Sequence, residues 1–347
     1  MSWRTLLILS LLLAALLAWD RSLTARREVQ REQTSRVGPL LDEDPFLQRQ
    51  VAAVRLDSGD DVHLYVFHDG LWRCVTYHNA PALNEPIEAI IPALINAQGV
   101  IRSTDPADAP SFGFDDQHPL RLSVSGSEVF THHAGDVIYA FDLGRSILAT
   151  GGSYVRPVNT DTIWAIDHDF HHLLAPDETS SIPPMLEPHI VPRTWPGVRQ
   201  GPTRLTIQHG DRTIQITREP ADPADDGLQW QWHVQEGAAA YLGDVLQVTS
   251  YAVFLTRAPF ADVLPPQAGD PYRLGNPLAV ITDEIADGPP LQLIIGGPGP
   301  GGGPVVLNSL TGVAYEIEPD ITGRMLPDID LLLDGERGNP WEPWLRR

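Results

Sequence analysis

The chain has 347 residues, 42% of them hydrophobic and 20% charged, with a formal net charge of −21 in which all 24 cations are arginine. That length suits about two domains, each able to bury its own core. An acidic chain lacks the basic face that phosphate contacts need, so nucleic acid is not an expected partner. The single cysteine, Cys74, excludes an intrachain disulfide and any zinc site built on a cysteine pair.

Arg4 precedes an apolar run from Leu6 to Trp19. The run is shorter than the roughly 20 residues of a comfortable membrane span and has the length of a signal-peptide core. Leu16 and Ala18 make only a weak cleavage site, and extension through Trp3 and Ser22 would let the ends snorkel. Residues 1–36 are therefore expected to form an uncleaved signal anchor followed by a polar stalk. Arg21, Arg26, Arg27 and Arg31 follow the run, and a strict positive-inside count would leave the body in the cytoplasm.

The body reads as one pattern written twice. The first copy, residues 48–180, opens with two alternating runs around Ser58-Gly59-Asp60-Asp61, and a third strand carries Trp72. Asn84-Glu85-Pro86-Ile87 then starts a helical pattern that runs through Ile95, with Asn84 as a candidate cap. Asp57, Asp60 and Asp61 lack the pattern of a calcium loop and read as a hairpin turn. Cys74, inside the Trp72 strand, reads as a small core residue.

Residues 181–202, rich in proline, read as a stiff extended linker. The second copy, residues 203–335, repeats the hairpin around His209-Gly210-Asp211. A tryptophan strand with Trp230 and Trp232 follows, and the stretch from Ala238 to Leu255 stands where the first copy has its helix. A constant offset of 151 sets Val54 on Leu205, Leu56 on Ile207, Trp164 on Tyr315, Ile166 on Ile317, Asp169 on Asp320 and Leu174 on Met325. Residues 336–347 form a tail whose two tryptophans are candidates to dock on a domain. The expected fold class is α+β: two tandem related modules, each a twisted antiparallel sheet with one or two packed helices, behind an N-terminal membrane helix.

The opening hairpin, Gly70-Leu71-Trp72, the helix from Asn84 to Ile95, Gly135-Asp136, Tyr154-Val155-Arg156 and Ile163-Trp164-Ala165-Ile166 together resemble the DUF4340 family of bacterial proteins. The resemblance covers about Val51 to Leu174 well and the second copy weakly. It implies one N-terminal membrane segment and an extracytoplasmic body, often associated with ABC-type export or gliding-type systems, and this favours export over the arginine count. It supplies no catalytic residues. Val305-Val306-Leu307 stands where the first copy has Tyr154-Val155-Arg156, so any role of Arg156 belongs to one copy alone.

The densest chemical cluster is Asp167-His168-Asp169-Phe170-His171-His172. Histidines three or four apart can share a helical face and hold a metal, with His132 and His133 completing the site. The matched segment from Glu318 to Arg324 has no histidine, so a polar helix start, with Asp169 and Asp320 as caps or first-turn acids, is the simpler reading. The glycine–proline run Gly296–Pro304 lacks the Lys-Ser/Thr of a phosphate loop and reads as a hairpin connection. No G-x-S-x-G elbow is present. No catalytic, cofactor or metal residue is expected.

The leading expectation is a non-enzymatic, membrane-anchored scaffold or accessory subunit with protein partners in a membrane complex. A glycan- or peptide-binding module, marked by a tryptophan-lined cleft, is the alternative. A metal-dependent enzyme using His132, His168 and His171 comes third.

Overall fold

The computed structural model describes residues 37–41, 51–114, 120–126, 137–147, 151–171, 182–221, 230–334 and 338–345, apart from positions 60, 268 and 287. The expected anchor, residues 1–36, lies outside them. Among the described residues no helix is long and apolar enough to cross a membrane.

Among the described residues nineteen strands form two sheets, and every described strand pairing is antiparallel. The first sheet comprises Gly38–Pro39 (β1), Ala53–Ser58 (β2), Asp61–His68 (β3), Leu71–Cys74 (β4), Ala80–Pro81 (β5), Gln98–Ser103 (β6), Leu120–Ser125 (β7), Val137–Ile147 (β8), Gly152–Pro157 (β9) and Ile163–Ile166 (β10). The second comprises Arg204–His209 (β11), Arg212–Pro220 (β12), Trp230–Glu236 (β13), Ala239–Gly243 (β14), Asp262–Leu264 (β15), Ala279–Glu284 (β16), Leu291–Pro298 (β17), Pro304–Asn308 (β18) and Val313–Glu316 (β19). The helices are Asn84–Asn96 (α1), Gly197–Gln200 (α2), Val245–Arg257 (α3), Pro319–Met325 (α4), Ile329–Leu333 (α5) and Glu342–Leu345 (α6). The fold is thus two antiparallel sheets with a few helices.

The two sheets share one topology. The first runs β1-β6-β10-β9-β8-β7-β2-β3-β4-β5 and the second β15-β19-β18-β17-β16-β11-β12-β13-β14. Apart from β1, each strand of the first has a counterpart at the same place in the second. In both, the long helix follows the strand at the same edge. Register agrees as well: Leu56 faces Leu122, which faces Phe141, and Ile207 faces Ile281, which faces Leu293. The offset of 151 between Leu56 and Ile207 is therefore the offset of the ladders at that point.

Contacts divide the chain into two compact units, Met1–Leu64 with Glu85–Asp177, and Tyr65–Asn84 with Glu178–Arg347. Residues 65–84 lie inside the span expected for the first module, yet they group with the second unit. Their bonds give the reason. Arg73 donates to the Thr311 carbonyl at 3.4 Å, the Tyr77 hydroxyl donates to Asp262, and the Tyr65 hydroxyl donates to the Pro184 carbonyl. The proline-rich segment is packed in the same unit: Ile190, Val191 and Trp195 are buried, and Asn308 donates to the Ile190 carbonyl at 2.7 Å.

Helix α1 buries Ile87, Ile90, Ala93 and Leu94, one stripe at helical spacing. Asn84 is its first residue rather than its cap, and the buried Asn84 Oδ1 has no hydrogen-bond partner among the described residues. Helix α3 has the cap that α1 lacks: Asp244 accepts from the Gln247 amide at 2.8 Å. The expectation of helix from Ala238 onward is corrected by the structure. Residues 239–243 form β14, turned back onto β13 by Gly237 at φ +59°. Cys74 is buried, as expected of a core residue. In the tail, Trp341 is buried, donates to the Arg324 carbonyl at 3.1 Å and lies 5.3 Å from the Tyr251 ring.

Candidate binding cleft

A cleft of about 420 Å³ opens in the second unit between α2, β13 and α3. Val245, Thr249, Ala252, Val253 and Thr256 form its helical wall, spaced so that they fall along one side of α3. Trp230 and Trp232 stand two apart on β13 and therefore share a face of the strand. Trp232 is buried, whereas Trp230 is 48% exposed. Arg218 faces Trp232 across the ladder, and its guanidinium carbon lies 5.3 Å from the Trp230 ring centroid, a cation–π arrangement. The same guanidinium donates to the Gln200 carbonyl at 3.3 Å, tying the cleft rim to α2.

The α2 wall needs its glycine. A Cβ on Gly197 would stand 2.1 Å from the Trp195 ring. The lining as a whole is Gly and Pro backbone, aliphatic and tryptophan side chains, two threonines, Gln200, Arg199 and Arg218. Among the described residues the lining contains no carboxylate, imidazole or thiol. Its two arginines give it a positive character in a chain of net charge −21. Chemically it can stack a planar or apolar group, hold an anionic or carbonyl group near a guanidinium, and exclude water from an apolar floor.

Of the histidine cluster only His168 and His171 lie among the described residues. His171 bonds through Nε2 to the Gly144 carbonyl, and His168 lies 5.3 Å from the Phe170 ring. His132, His133 and His172 lie outside the described residues, among which no group of three or more potential ligands could hold a metal. Asp169 Oδ1 accepts from the His171 amide at 2.9 Å and the Ser153 hydroxyl at 3.3 Å. Asp320 is a first-turn acid of α4. Asp57 lies against Arg55 at 2.7 Å.

The glycine run is a hairpin connection between β17 and β18, and it encloses an anion of its own. The Gly301 and Gly303 amides donate to the Glu316 carboxylate at 3.0 and 2.8 Å. Side chains at Gly299 or Gly301 would strike that carboxylate, at 2.7 and 2.8 Å.

Two features were not singled out from the sequence. Asp57, Arg121, Asp142 and Arg156 face one another in turn across β2, β7, β8 and β9. Asp142, buried, accepts from Arg121 at 2.7 Å and Arg156 at 3.0 Å. Arg156 also lies 5.0 Å from the Phe114 ring centroid. The corresponding row of the second sheet is Gln208, Val280, Ile294 and Leu307. Conversely, Asp283 stands where the first sheet has Val124. It is buried, and its Oδ1 has no hydrogen-bond partner among the described residues. Burial, reinforced by Glu284, pushes its carboxyl up to about 7.

Comparison with curated proteins and with solved structures finds no match. Residues 72–182 match the family model described as "Domain of unknown function (DUF4340)", the family that the tryptophan strand, α1 and the β9–β10 hairpin resemble.

Proposed function

We propose that this chain is two copies of one α+β module behind an N-terminal membrane anchor, acting outside the cytoplasm as a non-enzymatic subunit that holds a protein partner. The association of the family with ABC-type export or gliding-type systems makes the membrane subunits of such a system the partner class. The observation that carries the reading is the cleft between α2, β13 and α3. Its exposed Trp230, stacked by Arg218, offers the aromatic–arginine pair that dominates binding energies at protein interfaces. Its described lining offers aromatic, apolar and guanidinium contacts for recognition.

The test is site-specific photocrosslinking in native membranes with the full chain carrying a photoreactive residue at Thr249. Crosslinks to an ABC-type permease or its associated subunits are expected, and Trp230→Ala together with Val253→Arg should abolish them. Crosslinks that persist in the double variant, or none in the native chain, would overturn the reading. The glycan alternative rests on the same tryptophans. Saturable quenching of tryptophan fluorescence by oligosaccharides, lost in Trp230→Ala, would favour it instead.

A further inference from the structure

The two sheets end differently at corresponding edges. In the first, β5 is short and its outer side is occupied. The segment Met185-Leu186-Glu187 runs antiparallel to it, with Leu186 bridging Ala82. The Leu83 amide donates to the Met185 carbonyl at 2.8 Å, and the Glu187 amide donates to the Pro81 carbonyl at 3.0 Å. The occupant is an apolar, proline-preceded stretch, Pro183-Pro184-Met185-Leu186. Pro183 and Pro184 donate no competing bond, and Met185, at φ +61°, turns the chain so that Leu186 and Glu187 lie along the edge.

In the second sheet the corresponding edge is β14, and it is longer. Glu236 and Ala239 close the two-residue turn at Gly237 and Ala238. Counted from that pair, antiparallel alternation turns the backbone groups of Ala240, Leu242 and Asp244 away from β13. The Asp244 amide is taken by the Leu332 carbonyl of α5 at 2.9 Å, as the Leu83 amide is taken by Met185 in the first sheet. For Ala240 and Leu242 no outer partner is present among the described residues.

Ala239, Ala240, Tyr241 and Leu242 are all exposed, Leu242 by 63%. The strand carries no charge, proline or bulge, the devices by which edges are ordinarily protected. Exposed Leu246 and Val245 continue the apolar surface onto α3, and Val245 is part of the cleft rim.

We propose that β14 is a strand-addition site for an extended, apolar, proline-containing segment of another polypeptide, seated antiparallel against Ala240 and Leu242 as residues 185–187 are seated against residues 81–83. The chain thereby displays, within itself, the chemistry of its ligand. The inference deepens the protein-partner reading above by naming the recognition mode, main-chain pairing along an edge with side-chain capture in the adjoining cleft.

The probe is a synthetic peptide with the sequence of Ile182–Ile190, carrying a dye and a photocrosslinker, titrated against the full chain in detergent micelles. Saturable binding is expected, with crosslinks mapping to residues 239–243. Leu242→Pro and Leu242→Lys should each weaken it about tenfold or more, since the first removes an outward amide and the second protects the edge. Unchanged melting temperatures would show that both variants remain folded. A peptide with Pro183 and Pro184 moved to the pairing positions should not bind. Binding that is indifferent to both Leu242 substitutions, crosslinks confined to the cleft, or concentration-dependent dimers that Leu242→Lys dissociates would overturn the strand-addition proposal. The cleft crosslinks of the native chain in membranes could still be found in that case, so the two readings fail separately.

Discussion

At the scale of single residues, the least comfortable group is Asp283. Its ladder neighbours are Leu205 and Leu291, and it is 4% exposed. A buried carboxyl without a hydrogen-bond partner favours its neutral form, which places its titration at about 7 against an ordinary value of 3.8. The sign follows from linkage. Below the unfolded value both states are protonated and the group costs nothing extra. Above it the unfolded chain ionises while the folded chain must hold a proton, so stability falls as pH rises from about 4 to about 7 and then levels. Asp283→Val, the residue of the corresponding position Val124, is expected to remove that slope. Between about pH 3 and pH 8 the variant should gain about 4 kcal/mol on the native chain in urea unfolding followed at both pH values. Equal gains at the two pH values would refute the assignment.

Elements show which local rules held and which were overridden. The hairpins were legible because alternation and turn residues agree: Asp69 and Gly70, both with positive φ, join β3 to β4 as a two-residue turn requires. Helix α1 was legible from its apolar spacing. β14 was not, because Ala238-Ala239-Ala240 favours helix on intrinsic propensity, and pairing with β13 after Gly237 outweighs it. The cleft was legible only as two tryptophans. The rest of its lining, α2, Arg218 and one side of α3, meets the tryptophans only through tertiary packing. The charged row was hidden because its members lie on four strands and meet only through register.

That row yields an element-scale expectation. Arg156→Ala leaves buried Asp142 with Arg121 as its remaining arginine partner and should cost about 1–3 kcal/mol. Replacing Arg121, Asp142 and Arg156 together by Val, Ile and Leu, the residues of the second sheet, should cost less than the single change, since a well-packed apolar set can substitute for a buried ionic one. Thermal unfolding of the two variants decides it. A triple variant less stable than Arg156→Ala would show that the packing around the two rows differs.

At the scale of the molecule, residue order and compact units disagree. The halves of the sequence pattern part near the proline-rich segment, yet residues 65–84 leave the first half by sequence and join the second unit by contact. A fragment beginning at residue 178 would lack the hairpin that supplies Arg73 to Thr311 and Tyr77 to Asp262. It should unfold at a lower temperature than the same residues in the full chain, with tryptophan fluorescence as the probe. An unchanged midpoint would mean that the hairpin contributes nothing to that unit.

The row that is ionic in one sheet and aliphatic in the other carries a lesson for tracing ancestry. Two sheets of one strand order keep the same register although one has guanidinium and carboxylate where the other has methyl groups. Residue identity therefore differs in places where the order of neighbouring strands still agrees. Distant kin of the latter half should be sought by the spacing of their strands and the order in which they neighbour, with amino-acid likeness given second place.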